Sequence, residues 1–183
     1  MRLALPLVLL LTTSIPVLAE MPTPKGHVLL TLGGAVTETN LPPRGEADGG
    51  LLGFLDVQHD GGAGFDAATL DGMEQVEITI TYGPEGNQKE IAFSGPLLAD
   101  VMTLAGAVGK TAKPMAMDGY QSEISWDSIT LHQPIVATHA DGSHMGIGGY
   151  GPTMIVFPPT DDEDLAAVQA GQQVWALAYI GIE

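Results

Sequence analysis

The chain has 183 residues, with 22 Asp and Glu against 6 Lys and Arg, a formal net charge of −16 at pH 7. That length fits one domain and is enough to bury a core without staples. The negative field repels nucleic acid and anionic lipid headgroups. The lack of any cysteine excludes thiolate nucleophiles, thiolate metal sites and covalently attached c-type haem.

Met1-Arg2, the apolar run Leu3 to Leu11, and Val17-Leu18-Ala19 before Glu20 read as a secretory signal cleaved after Ala19. The run is shorter than the roughly 20 apolar residues of a spanning helix. Pro6 and Pro16 interrupt it as a buried helix. The expectation is an exported, periplasmic protein with a signal over residues 1–19 and a single domain over 20–183. Cleavage removes Arg2 and no acid, leaving five cations and a net charge of −17. The 24 glycines and the 15% of charged residues predict a β-rich fold with many turns.

His27 to Leu32 predicts a strand ending at Gly33-Gly34. Residues 40–64, rich in Gly, Pro and Asp, form a candidate binding loop carrying a short strand through Leu51, Leu52, Phe54, Leu55 and Val57. Asp66 caps one helical turn reaching Met73. Glu74 to Tyr82 is the clearest strand, with Val76, Ile78, Ile80 and Tyr82 on one face and Glu77, Thr79 and Thr81 on the other. Glu90 to Phe93 returns after a Gly-Pro-Glu-Gly turn. Pro96 to Ala105 predicts a buried helix, capped by Ser94 and stopped by Gly106.

Met115 to Met117 leads through Asp118-Gly119, a hairpin-type turn, into Tyr120 to Ser125. Ile135 to Ala140 meets a second such turn, Asp141-Gly142, before Ser143 to Ile147. After a glycine-rich loop, Thr153 to Phe157 is a strand closed by Pro158-Pro159. Thr160 to Glu163 fits a capping box opening a helix that stops at Gly171. Gln172 to Ile180 alternates as a final strand, and no repeat or linker divides the chain.

The segments FDAATLDGMEQVEITITY, FSGPLLADVMTLAGA, MAMDGYQSEIS, PIVATHADGSHMG, GYGPTMIVFP and VWALAYIGI run in order over roughly residues 65 to 182. In that order they resemble the small exported proteins of the sulfite-oxidase, molybdopterin-binding fold. The resemblance implies an α+β fold of mixed, curved sheets with few short helices and a pterin-sized cleft between loops. In the sulfite-oxidase enzymes a cysteine after the strand matching Glu74 to Tyr82 binds molybdenum. Here Tyr82 or Gly83 takes that place. Five cations are also few for a phosphorylated dithiolene. No molybdenum and no redox catalysis are therefore expected.

Some small exported members of that fold are pterin receptors that report to the periplasmic region of a membrane signalling protein, often one controlling cyclic di-GMP. The resemblance implies that role here, with a pterin-like ligand and no resident metal. Many small relatives carry Arg, Asp and Lys in the loop before the Gly-Pro strand, where this chain has Gly148, Gly149 and Tyr150. The alternatives are a molybdenum oxidoreductase or its accessory subunit, and a periplasmic metal-binding protein.

A pterin site needs a stacking face and a carboxylate or backbone groups at the guanidine-like edge. Tyr120, Trp126 and Tyr150 lie in polar loops that line the family's cleft, and Tyr82 joins them by position. Trp126, between Ser125 and Asp127, has a turn-like context; Tyr120 also reads as a sheet-packing residue, and Trp175 as core. Asp118 and Asp141 precede glycines and are explained by turn chemistry, which leaves Asp127 as the better carboxylate. His139 and His144 flank the second hairpin and could face each other to hold copper or zinc, an incomplete set. His144 could equally donate to a ligand carbonyl. Arg44, the one arginine left after cleavage, could latch a ligand, an acidic loop or a partner.

Catalytic signatures are missing. There is no GxSxG, and Ser143-His144 adjacency makes no triad. A strand, not a helix, follows GIGGYG, so it is no phosphate loop. The acids Asp161 to Asp164 suit a helix N-terminus. Ligand binding is expected to order the 40–64 and 143–151 loops.

Overall fold

Alternation and turn chemistry place most of the strands. The computed structural model describes residues 21–183, so the expected signal segment lies outside the described residues. The elements are β1 (Val28–Gly34), α1 (Gly50–Phe54), β2 (Ala63–Asp66), α2 (Ala67–Asp71), β3 (Val76–Tyr82), β4 (Lys89–Gly95), α3 (Leu98–Leu104) and β5 (Ala112–Ala116). They continue with α4 (Trp126–His132), β6 (Ile135–Ala137), β7 (His139–Ala140), β8 (Ser143–His144), β9 (Met154–Val156), α5 (Glu163–Gln172) and β10 (Leu177–Ile182). The architecture is α+β, with several sheets and short helices. Among the described residues no helix is long and apolar enough to cross a membrane.

One sheet has the order β2-β1-β10-β5. The β1–β10 pair is parallel and the other two pairs are antiparallel, so the sheet is mixed. Its Leu30, Leu32, Phe65, Leu177, Ile180 and Ile182 pack with Leu98, Val101 and Met102 of α3 and with Ile129 of α4 in the larger core. The second sheet has the order β3-β4-β7-β8. Its long hairpin runs in register from Val76 opposite Gly95 to Tyr82 opposite Lys89. Ile78, Ile91 and Phe93 there form a smaller core.

The two-stranded β6–β9 ribbon is the wall between the cores. Side chains alternate faces along a strand. Val136 and Ile155 therefore enter the larger core, while Ile135, Ala137, Met154 and Val156 enter the smaller one. Burial on both faces explains why these segments read as unbroken apolar runs.

Asp66 caps α2 as its position suggested. Its Oδ1 accepts from Thr69 N and Thr69 Oγ1 at 2.9 and 2.7 Å, and its Oδ2 accepts from Lys25 N and Gly26 N, both at 2.8 Å. The carboxylate thus ties the incoming chain to the β2–α2 corner. The Thr69 hydroxyl, then the backbone N–H groups, hold this carboxyl far below the usual range, with burial opposing them.

Several sequence expectations need correction. The segment Leu51 to Leu55 is not a strand: α1 is helical, with Leu55 N bonded to Leu51 O at 3.0 Å. Leu52 and Leu55, three apart, pack on Val57, Met115 and Tyr179, a helical spacing that a short apolar run does not reveal. Ser94 does not cap α3, because it stays in β4 opposite Glu77. Leu97 stands at that N-cap without a side-chain bond, and Leu98 N bonds Pro134 O at 2.8 Å.

Further differences lie downstream. The predicted strand Ile135 to Ala140 breaks at Thr138, since β6 pairs with β9 whereas β7 pairs with β4 and β8. Tyr120 to Ser125 makes only isolated bridges, Met115 with Gln121 and Ala112 with Ile124. Asp162, not Thr160, caps α5 through Leu165 N at 3.1 Å. That helix continues past Gly171 to Gln172, so the last strand begins only at Leu177.

Candidate functional site

A hollow of about 240 Å³ is lined by Tyr82, Ala116, Asp118, Tyr120, Ala170, Gln173 and Trp175. Three parts of the chain meet there, and each is fixed by local chemistry. Tyr82 ends β3 on its apolar face. Its ring packs edge-on against Phe93 at 6.3 Å and Tyr150 at 5.2 Å, and Phe93 and Tyr150 are 6.0 Å apart. Burial, with the neighbouring Tyr150 second, pushes the Tyr82 phenol above its ordinary value, so it stays a neutral donor.

Asp118-Gly119 closes the second wall. Asp118 Oδ1 accepts from Tyr120 N at 3.0 Å, and Gly119 adopts φ +88°, which favours glycine. The Tyr120 hydroxyl donates to Gly171 O at 2.7 Å, binding this turn to the end of α5. The link between α5 and β10 supplies the third wall. Ala176 holds φ +48° while its N–H bonds Tyr150 O at 2.8 Å and its carbonyl accepts from Met117 N at 2.9 Å. The Tyr150 loop, the strand end before the Asp118 turn and Trp175 are therefore connected through one residue, Ala176.

Trp175 is 46% exposed and Tyr120 is 51% exposed. The assignment of Trp175 to the core is thus corrected: it precedes a left-handed residue, and its strand begins two residues later. Gln173, on the hollow's wall, has a buried Oε1 with no hydrogen-bond partner among the described residues. The lining offers aromatic faces and one carboxylate. It holds no lysine or arginine.

Of the residues picked from sequence, Tyr82 and Tyr120 share this hollow and Tyr150 backs it by packing on Tyr82. The others are elsewhere. Trp126 is not in a turn but is the first residue of α4, half-buried against the larger core. Ser125 caps that helix through Ser128 N at 3.2 Å, a capping signal hidden by reading the segment as a turn. Asp127 is exposed in the first turn of α4, where a helix N-terminus already accounts for an acid.

Arg44 lines a separate hollow of about 720 Å³ with His59, Asp60 and Thr39. Its guanidinium donates to Asp48 O at 2.9 Å and to Gly49 O, so it latches its own loop. Burial, and then the Arg44 charge, lower the His59 pKa below its ordinary value. His144 lies opposite His139 on the β7–β8 hairpin, with its Nε2 3.6 Å from Asp71 Oδ2.

Sequence reasoning missed three wall residues. Asp118 was assigned to turn chemistry, which it does perform with one oxygen only. Trp175 and Gln173 fall around the α5–β10 junction, and no local signal marks a left-handed alanine there.

The molybdopterin implied by the resemblance does not fit these walls. The chain has no thiol, and no lysine or arginine lines the hollow to meet a phosphate. The chain matches no protein-family model and shows no significant similarity to a curated protein.

Proposed function

We propose that this chain is a non-catalytic binding protein for an unphosphorylated, pterin-like heterocycle, seated in the hollow between Tyr82, Tyr120 and Trp175. The observation that carries the reading is the convergence of exposed aromatic faces with the Asp118 carboxylate. An amino-pyrimidine edge presents adjacent N–H donors, which suit the two oxygens of a carboxylate. The ring system stacks on Trp175 or Tyr120. At about 240 Å³, the hollow is below the ~300–1,000 Å³ of drug-sized sites, which favours one small flat ring system over a dinucleotide.

The resemblance to the sulfite-oxidase, molybdopterin-binding fold lends support in part: of the three aromatics it implies for the cleft, Tyr120 lines the hollow and Tyr150 packs behind it, while Trp126 lies apart in α4. In this reading the protein works in the periplasm and reports to the periplasmic region of a membrane signalling protein. The ligand tightens the Tyr150 loop through Tyr82 and the Tyr150–Ala176 hydrogen bond, and that loop presents the altered surface.

Thermal unfolding of the exported chain with oxidised, dihydro- and tetrahydropterins tests the proposal. A rise in Tm that scales with ligand concentration for at least one oxidation state is expected. No rise with any of them at millimolar excess overturns it.

A further inference from the structure

The geometry points to a second site, unrelated to the hollow: a three-ligand centre for a divalent ion of the zinc–copper class, built from Asp71, His139 and His144. One ligand atom from each residue lies within 4.8 Å of the others, the sole grouping of this kind among the described residues.

The fold positions all three. Asp141 and Gly142 both adopt positive φ, 48° and 73°, and close a two-residue hairpin. Ala140 pairs with Ser143, and His139 with His144. Met145 N bonds Thr138 O at 2.9 Å on the far side. His139 and His144 thus form the non-hydrogen-bonded pair between two bonded ones, where opposite side chains stand closest. Their ring centroids are 3.9 Å apart and tilted by 33°. Thr138 Oγ1 lies 2.9 Å from His139 Nδ1, which orients the ring and leaves Nε2 as its ligand atom. Asp71 arrives from the end of α2 and stands 3.6 Å from His144 Nε2.

Two imidazoles and a carboxylate are the donor set of open zinc sites, with water in the fourth position, and they also suit copper(II). Metal–ligand bonds of about 2.0–2.2 Å put neighbouring ligand atoms about 3.3 Å apart in a tetrahedron. The observed separations therefore need to close by at most about 1.5 Å. The side chains of Asp71 and His144 are 36% and 58% exposed, so they can rotate to do so. A bound ion would join the β7–β8 hairpin of one sheet to the α2 corner of the other. The net negative charge of the chain attracts such a cation.

The test is titration of metal-free exported chain with Zn²⁺, and separately Cu²⁺, against a competing chelator. One equivalent should bind. His139→Ala, His144→Ala and Asp71→Asn should each weaken it by at least about 10-fold, while His132→Ala and His27→Ala should leave it unchanged. Because His144 and Asp71 are exposed, their variants should keep the parent's urea midpoint, which separates lost ligation from lost folding. No stoichiometric uptake, or uptake indifferent to His144→Ala, overturns the proposal. Dependence on the histidines but not on Asp71 overturns the three-ligand centre. Pterin binding by His144→Ala should persist, so this site and the hollow fail or stand separately.

Discussion

Replacing Asp66 by Asn should destabilise the protein by about 2–4 kcal/mol, an unusual loss for an isosteric change. In the parent, each carboxylate oxygen accepts two hydrogen bonds, from Lys25 N and Gly26 N on one side and from Thr69 N and Oγ1 on the other. An amide can meet only one of these pairs with its oxygen. Its NH₂ must then face either the two N–H groups of the incoming chain or Thr69, whose hydroxyl can turn to accept but whose backbone N–H loses its partner. Hydrogen bonds to a charged group contribute ~1.5–3 kcal/mol each and are not additive. Asp66 itself is only 2% exposed, whereas Lys25 and Gly26 are exposed, so water relieves the loss on that side only in part.

The pH dependence follows from the same geometry. The folded carboxyl titrates well below the unfolded value near 3.9. Its contribution is complete above the unfolded value and is lost as pH falls through the folded one. The difference between parent and Asp66→Asn should therefore be constant from about pH 5 to 8 and shrink below about pH 4. Urea unfolding followed by far-UV circular dichroism at several pH values measures it. A loss under about 1 kcal/mol at pH 7, or a gap that widens in acid, would refute the role given to this carboxylate.

Other substitutions probe the packing. Phe93→Ala should cost about 3–5 kcal/mol in denaturant unfolding, because Phe93 is fully buried in the smaller core and supports both Tyr82 and Tyr150. Gly95→Ala should cost a few kcal/mol (about 2–4), since a Cβ there would run into the Val136 carbonyl and lie 2.9 Å from Ala137 Cα, all backbone that cannot turn aside. Tyr120→Phe should cost about 0.5–1.5 kcal/mol by removing the bond to Gly171 O, and should weaken ligand binding several-fold by freeing the Asp118 turn. Calorimetry on the same variant measures that second effect.

Much of the sheet structure was legible because it depends on local chemistry. The alternation of Val76, Ile78, Ile80 and Tyr82 set β3 and its inward face, and Asp118-Gly119 and Asp141-Gly142 set their turns. Asp66 was legible as a cap because the helix begins beside it. What failed depended on partners distant in sequence. Whether Leu51 to Val57 coils or extends is decided by Met115 and Tyr179, not by a run too short to show a period. The break at Thr138 arises because the chain changes sheets, which its β-favouring residues conceal.

The site was half legible for the same reason. Tyr82, Tyr120 and Tyr150 stood out as aromatics at segment ends. Trp126 misled because a tryptophan after serine reads alike in a turn and at a capped helix start. Trp175 was concealed by the left-handed Ala176, a conformation imposed by hydrogen bonds to Tyr150 and Met117. Asp71 joins the two histidines only through tertiary approach of α2 to the hairpin.

The chain has two tryptophans, and they separate the walls of the hollow from the rest of the molecule. Fluorescence titration of the Trp126→Phe variant with a tetrahydropterin, in which only Trp175 emits, tests the location of the site directly. Saturable quenching at one equivalent, abolished or weakened at least about 10-fold by Asp118→Asn, is the predicted result. Quenching confined to the Trp175→Phe variant, where Trp126 is the reporter, would place the ligand on another surface and contradict the account.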